Sequence, residues 1–148
     1  MACLLLATAA SARQDAGSTE VQSLQASLKS PEVPVRASAA RILGELGGAA
    51  RPALPDLLAA LADENRDVRL SAATAIGMIG PPAPDAVPPL VGLLKDREWQ
   101  VRRAAATALG RLRDKSAEEP LKAARKDTNR SVKDAAKRSL DQLKKVKK

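Results

Sequence analysis

One ten-residue pattern, Val-Arg-x-x-Ala-Ala-x-x-Leu-Gly, recurs along the chain at nearly constant spacing. Its copies begin at Val35, Val68 and Val101, and a degenerate fourth copy begins at Val132. The four valines are 33, 33 and 31 residues apart. Self-similarity at this period is typical of a stack of supersecondary units, in which each unit packs only against its neighbours. The pattern therefore predicts a repeat architecture instead of a single closed core.

Each period contains two apolar stripes with helical spacing. The first stripe of the second unit consists of Leu54, Leu57, Leu58 and Leu61. The second stripe starts at the valine of the pattern and continues at offsets 4, 8 and 11. Spacings of three and four residues mark one face of an α-helix. We therefore predict two helices per unit, helix A and then helix B, with helix A of the second unit over about 52–62 and the last helix over about 129–145.

The glycine of the pattern lies nine residues after the valine, inside helix B. Glycine in a helix interior costs about 1 kcal/mol relative to alanine. We expect a neighbouring helix to pass so close that no side chain fits there. Helix ends are predicted at Gly47-Gly48 and at Gly80-Pro81-Pro82, whereas the third exit, Arg113-Asp114-Lys115, has no such stop signal.

Charge and composition exclude several classes of site. The net charge of +8 resides in residues 122–148, because residues 1–121 hold 14 basic and 14 acidic side chains. With one cysteine and no histidine, the chain lacks the residues for an internal disulfide, a His/Cys zinc site or a triad with an imidazole base. Acidic side chains stand close together at Asp63/Glu64, Asp96/Glu98 and Glu118/Glu119. These pairs lie in turns or in first helical turns, so they do not point to glycosidase chemistry.

The first twelve residues are apolar and end in Ala10-Ser11-Ala12, which fits the cleavage site of a secretory signal. The charged segment that normally precedes such a run is missing. Residues 1–17 are therefore either a truncated signal peptide or a disordered N-terminus. The first alternative predicts an exported, periplasmic protein and the second a cytoplasmic one. No apolar run reaches the roughly 18 residues that a membrane-spanning helix needs.

The repeated unit resembles the HEAT repeat, and most closely its short variant found in phycobilisome lyases. Besides the pattern itself, an aspartate precedes the helix B arginine by six residues, and Pro55 and Pro88 lie thirteen residues before a valine. The resemblance covers residues 18–146, as repeats at about 18–48, 51–80, 84–113 and 116–146, followed by a basic tail at 147–148. It implies an all-α solenoid of four two-helix repeats in a right-handed superhelical stack. The first and fourth units depart most from the pattern, as terminal repeats commonly do.

In such stacks the aspartate and the arginine form a ladder that links adjacent units. The resemblance assigns this structural ladder to Asp63, Arg69, Asp96, Arg102, Asp127 and Lys133. The series of Arg36, Arg69, Arg102 and Lys133 could also contact phosphate. Its fixed phase with the aspartates favours the structural role.

The positions of helix B that vary between units are the predicted contact surface. They lie two and six residues after the valine, on the concave face that stacked B helices would form. The candidate partner-binding residues are Arg41, Leu70, Thr74, Arg103, Thr107 and Arg138. Their mixed apolar and basic character favours a protein or peptide partner. The leading hypothesis is a non-catalytic scaffold or adaptor without a cofactor, either monomeric or part of a larger complex. Trp99, the only aromatic residue, is either a contact residue or a packing anchor of its own helix pair.

Two other functions remain as alternatives. The basic C-terminal repeat could bind nucleic acid or another polyanion through Lys137, Lys144 and Lys145, although no aromatic residues interleave with these charges. The family resemblance also implies a bilin lyase-like accessory role, for which four repeats and one tryptophan offer little room. HEAT-repeat enzymes that bind iron through His-Glu pairs are excluded by the lack of histidine.

Overall fold

The computed structural model describes residues 17–145, and this range contains α-helices and 3-10 segments but no strand. Its α-helices are α1 (17–27), α2 (Val33–Glu45), α3 (Leu54–Ala60), α4 (Arg66–Ile79), α5 (Val87–Leu93), α6 (Trp99–Leu112), α7 (Glu118–Ala124) and α8 (Arg130–Lys145). The 3-10 segments Gly47–Ala53, Pro84–Ala86 and Lys115–Ala117 lead into α3, α5 and α7. Within these bounds, no helix has the length and apolarity needed to cross a bilayer. The candidate signal segment lies outside the described residues.

The helices are arranged as a stack of pairs. The even-numbered helices pack in succession, α2 on α4, α4 on α6 and α6 on α8. The odd-numbered helices α3, α5 and α7 each pack against the even-numbered helix that follows them. The predicted all-α solenoid is confirmed, with α2, α4, α6 and α8 as the B helices and α1, α3, α5 and α7 as the A helices.

The core consists of equivalent positions of successive units. Leu57, Leu90 and Leu121 of the A helices are fully buried, and so are Val68, Val101 and Val132 of the B helices. Alanine fills most of the remaining buried positions. Because each layer is thin and built from small aliphatic side chains, the core needs no aromatic residue.

The glycines inside the B helices mark the closest approach between units. An ideal Cβ placed on Gly44 would lie 2.8 Å from the Cα of Ala75, and one on Gly77 would lie 2.9 Å from the Cα of Ala108. On Gly110, the added Cβ would lie 2.5 Å from the Cβ of Ser139. These distances leave no room for a methyl group. The prediction that a neighbouring helix excludes a side chain is therefore confirmed.

The ends of the helices follow the stop signals, with two differences. Gly47 and Gly80 both adopt positive φ, at 56° and 75°. At the third exit, where no glycine stands, Arg113 itself adopts the left-handed conformation at φ 55°. The second A helix starts later than predicted, at Leu54, after a 3-10 segment that contains Pro52. This start places Pro55 in the first turn of α3, where a missing N–H leaves no intrahelical hydrogen bond unmade.

Candidate binding groove

Three arginines at the second position of the pattern join consecutive units through two parallel hydrogen bonds each. We call these pairs, Arg36–Asp63, Arg69–Asp96 and Arg102–Asp127, the Arg–Asp ladder. The Nε atoms donate to carboxylate Oδ2 atoms at 2.8, 2.8 and 2.7 Å. The Nη2 atoms donate to the Oδ1 atoms at 3.1, 3.1 and 2.9 Å. Such two-point contacts are the strong, geometrically specific form of the arginine–carboxylate interaction.

Each ladder arginine also holds the turn of its own unit. The Nη1 atom of Arg69 donates to the carbonyl oxygens of Asp63 and Glu64, both at 2.9 Å. Arg36 and Arg102 make the same pair of bonds one unit earlier and one unit later. Four of the five N–H donors of each guanidinium are therefore engaged. With their donors occupied, these arginines are poorly placed to bind phosphate.

The ladder is shielded from solvent in its central pair. The side chains of Arg69 and Asp96 are only 9% and 8% exposed. Hydrogen bonds from Arg36 and Arg102 lower the pKa of Asp63 and that of Asp127. Burial alone would raise the pKa of Asp96, but the hydrogen bonds from Arg69 and from the Glu98 amide outweigh it, and the pKa is lowered. All three aspartates are accordingly held in the charged form.

The ladder differs from the six assigned residues at both ends. Arg36 belongs to the arginine series for which the structural role was favoured, but it had no assigned aspartate, and it meets Asp63 of the second unit. Lys133 was among the six assigned residues, but it is exposed, and Asp127 pairs with Arg102. Each arginine reaches forward to the aspartate of the next unit, and Lys133 lies beyond the last such aspartate in the sequence.

A groove of about 260 Å³ runs between the B helices α4, α6 and α8. We call it the B groove. Its lining residues are Leu70, Thr74 and Gly77 of α4, Arg103, Ala104, Thr107, Ala108 and Arg111 of α6, and Arg138 of α8. The groove includes Gly77 and Ala108, which meet where α4 and α6 approach each other closely. It therefore depends on the same close packing that requires glycine in the B helices.

Five of the six predicted partner-binding residues line this groove: Leu70, Thr74, Arg103, Thr107 and Arg138. Arg41 of α2 is not among the lining residues, and it pairs with Glu45 one turn along its own helix. The structure thus brings together the residues predicted on the second, third and fourth units. That they bind a partner remains a prediction.

Arg111 also lines the groove, although it was not predicted from the sequence. It follows Arg103 and Thr107 at intervals of four, so it continues the same stripe of α6 one turn further. Its Cδ would lie 3.5 Å from a Cβ placed on Gly77, which shows that the side chain crosses over the neighbouring glycine. Met78 lies over Gly44 in the same way. Extending the predicted offsets from six to ten residues after the valine would have found this position.

The three arginines of the groove have no carboxylate partner among residues 17–145. Nearby acids pair with other arginines instead, Glu98 with Arg66 at 3.8 Å and Asp134 with Arg130 at 3.9 Å. The guanidinium of Arg103 lies 5.8 Å from the ring centroid of Trp99, a cation–π distance. Trp99 therefore supports the side chain of Arg103, and it is itself partly buried.

The predicted polyanion contacts lie elsewhere, on the exposed surface of α8. Lys137, Lys144 and Lys145 are all exposed, and Lys144 lies 3.7 Å from Asp141. None of them lines the B groove. As for metal ligands, the part of the chain that the structure describes holds no group of three or more His, Cys, Asp or Glu side chains that could bind an ion.

Comparison with known proteins identifies the repeat. The family model for HEAT repeats matches residues 21–84 and 54–141, which together cover most of the chain. No curated protein matches.

Solved structures share the fold. An engineered protein is similar at 24% identity and a TM-score of 0.69, over 84% of this chain and 62% of its own. The CpcE–CpcF complex of phycocyanin lyase from Nostoc sp. is similar at 24% identity and a TM-score of 0.63, over 84% and 65%. Human deoxyhypusine hydroxylase is similar at 25% identity and a TM-score of 0.70, over 84% and 43%. This chain thus spans less than two thirds of each of them. Taken with the family match and the stacked helix pairs, these likenesses lead to one conclusion: the chain belongs to the HEAT-repeat family.

Proposed function

We propose that this protein is a non-catalytic scaffold or adaptor that binds a protein or peptide partner in the B groove. The main support is the convergence of Leu70, Thr74, Arg103, Thr107 and Arg138 on one groove. At these positions the residue varies across the four units, with four different residues at offset two from the valine and either Arg or Thr at offset six, whereas the residues that hold the stack together repeat from unit to unit. Variable positions gathered on an open surface are what a repeat scaffold needs for recognition.

The chemistry of the groove favours binding over catalysis. Its side chains are aliphatic, hydroxyl or guanidinium groups. The hydroxyls of Thr74 and Thr107 donate to the carbonyl oxygens of Leu70 and Arg103 within their own helices, at 2.9 and 3.0 Å. The groove therefore presents no general base to activate a nucleophile. Arginine next to apolar side chains is instead common at interfaces between proteins.

Site-specific photocrosslinking tests the proposal. A photoreactive amino acid replaces Leu70 in the groove, and in a matched variant it replaces Ala59, an exposed residue of the A helix α3. We expect a covalent protein or peptide adduct from position 70 and none from position 59. A third variant carries the photoreactive amino acid in place of Arg103. Equal yields of adduct from positions 70 and 59 would refute partner binding in the groove, and so would the absence of an adduct from both position 70 and position 103.

A second candidate function is the binding of nucleic acid or another polyanion by the last repeat. The supporting observation is the exposed basic surface of α8, with Lys133, Lys137 and Lys145. This function predicts an affinity for single-stranded DNA that falls steeply with added salt, because each neutralised phosphate releases counterions. The triple variant Lys137→Gln, Lys144→Gln, Lys145→Gln should then lose most of this binding. Unchanged binding in the triple variant would exclude it.

A further inference from the structure

We infer that the B groove binds an acidic peptide segment in which carboxylates flank an aliphatic side chain. This inference rests on the proposed function, since it specifies the partner of the same groove. It follows from two properties of the lining, which are a set of uncompensated cations and a small apolar floor.

The cations are the guanidiniums of Arg103, Arg111 and Arg138. In residues 17–145 they form no ion pair, in contrast to the ladder arginines, each of which meets an aspartate. All three are exposed, so their two-point donor edges are available to a ligand. Carboxylate is the group in proteins that matches this geometry, and arginine binds it with more geometric specificity than lysine does.

The floor between these cations is apolar and has little depth. Leu70 is partly buried against the core, and Ala104 and Ala108 are buried. Gly77 adds no side chain. A volume of about 260 Å³ holds a few side chains and not a folded domain. One aliphatic residue of a partner fits over this floor, with its acidic neighbours directed to the arginines on α6 and α8.

Charge also limits the ligand to a short acidic stretch. Acidic side chains interrupt the positive charge next to the groove, since Asp134 lies one turn before Arg138 on α8 and Arg41 of α2 is paired with Glu45. No aromatic ring lines the groove to stack a base, and Trp99 beside it is covered by Arg103. A peptide is therefore favoured over a nucleic acid.

The position of Arg103 is partly fixed before binding. Its guanidinium rests over Trp99, so less side-chain freedom is lost when a carboxylate arrives. Trp99→Leu should therefore weaken the binding of an acidic peptide without removing any charge.

The experiment is a selection from a randomised peptide display library, with the full chain as bait. Enriched peptides are then measured by fluorescence anisotropy against three proteins. The first is the wild type. The second is the groove variant Arg103→Gln, Arg111→Gln, Arg138→Gln. The third is the control variant Lys115→Gln, Arg125→Gln, Lys126→Gln, which removes the same charge from exposed residues outside the groove. Far-UV circular dichroism verifies that both variants keep the helical fold.

We expect the enriched peptides to carry Asp or Glu on both sides of Leu, Ile or Val. The groove variant should bind them at least about fivefold more weakly than the wild type, since exposed charge pairs each contribute modestly. The control variant should stay within about twofold of the wild type. Replacing the acidic residues of the peptide by Asn and Gln should weaken binding to the same extent as the groove variant.

Several outcomes would overturn the inference. Enrichment of neutral or basic peptides would do so, and so would an equal loss of affinity in the groove and control variants. Tighter binding of single-stranded DNA than of the peptides, lost in the groove variant, would assign the groove to polyanions. If photocrosslinking from position 70 captures a protein that the groove variant binds as well as the wild type does, the acidic-segment inference fails while the proposed function stands. If crosslinking from the groove also fails, both fall.

Discussion

The substitution Gly77→Ala tests whether glycine is required inside the B helices for space. A Cβ at this position would lie 2.9 Å from the Cα and 3.1 Å from the Cβ of Ala108, whereas ordinary contacts begin at 3.4 Å. Helix α6 would have to retreat by about 0.5 Å at this contact. No change of rotamer relieves the clash, because the groups that meet belong to two backbones and their first side-chain carbons.

The expected size of the effect follows from two opposing terms. Overpacking of a close contact costs about 1–3 kcal/mol, and a rigid backbone contact belongs in the upper part of that range. Alanine in a helix interior regains about 1 kcal/mol relative to glycine. We therefore expect Gly77→Ala to lower the free energy of unfolding by about 1–2 kcal/mol. Urea unfolding, followed by circular dichroism, should show a midpoint lower by about 0.5–1 M.

A matched control is the substitution Gly92→Ala. Gly92 is an exposed residue near the end of α5, and a Cβ there would meet nothing within 4 Å. Only the gain in helix propensity then remains, so the free energy of unfolding should rise by up to about 1 kcal/mol. The same replacement at the two positions should thus change the free energy of unfolding in opposite directions. Equal shifts in the same direction would show that the steric explanation of the Gly77 position is wrong.

Three further predictions concern polar contacts, each measured by the urea midpoint at constant salt. Asp96→Asn should lower the free energy of unfolding by about 3 kcal/mol, because it leaves the shielded guanidinium of Arg69 without its counter-charge. Glu45→Gln, in an exposed pair, should lower it by less than about 1 kcal/mol. Similar losses in the two variants would contradict a special role for the ladder. The ladder aspartates have lowered pKa values in the folded state, so their stabilisation is present above the unfolded value of about 3.9 and is lost as the pH falls through the folded values. The urea midpoint should therefore stay constant from about pH 7 to 5 and decrease at pH values below about 4. This decrease should be less steep in Asp96→Asn. A loss of stability near neutral pH would point to other groups. Ser139→Ala removes the 2.7 Å hydrogen bond to the Ala106 carbonyl but introduces the alanine found at the equivalent positions 75 and 108. We therefore expect it to lower the free energy of unfolding by no more than about 1 kcal/mol, and a larger loss would contradict this reasoning.

Most of the fold could be predicted because each unit repeats the same pattern of buried residues and the same helix contacts. The apolar spacing of three and four gives each helix its buried face, and the glycine of the pattern shows where two helices touch. The exit after α6 was placed correctly at Arg113, but the left-handed conformation of Arg113 could not be predicted, because glycine usually signals it. The start of α3 was also missed, since a 3-10 turn and an α-turn have nearly the same apolar spacing.

The candidate site was less accessible to sequence reasoning. A position along one helix can be predicted from its spacing, but a contact between units depends on how far a side chain reaches. The family resemblance implied that the ladder links adjacent units, but not in which direction: the Asp63 carboxylate accepts two hydrogen bonds from Arg36 of the preceding unit, although Asp63 stands six residues before Arg69 in the sequence. Arg41 shows the converse, because it has the spacing of a groove residue but pairs with Glu45 on its own helix.

The forward reach of the ladder has a consequence for how such a stack can lengthen. Each of the first three units contributes one arginine that binds the aspartate of the next unit, so any stretch from just after one ladder aspartate to the next carries one complete donor and one complete acceptor. A tandem duplication of residues 64–96 would insert a further Arg69 and a further Asp96 in the required order. Every junction would then be filled, including the one that the insertion adds. The added B helix would extend the groove by one unit, so a duplication in the gene produces a longer groove in which each arginine of the ladder already has its aspartate.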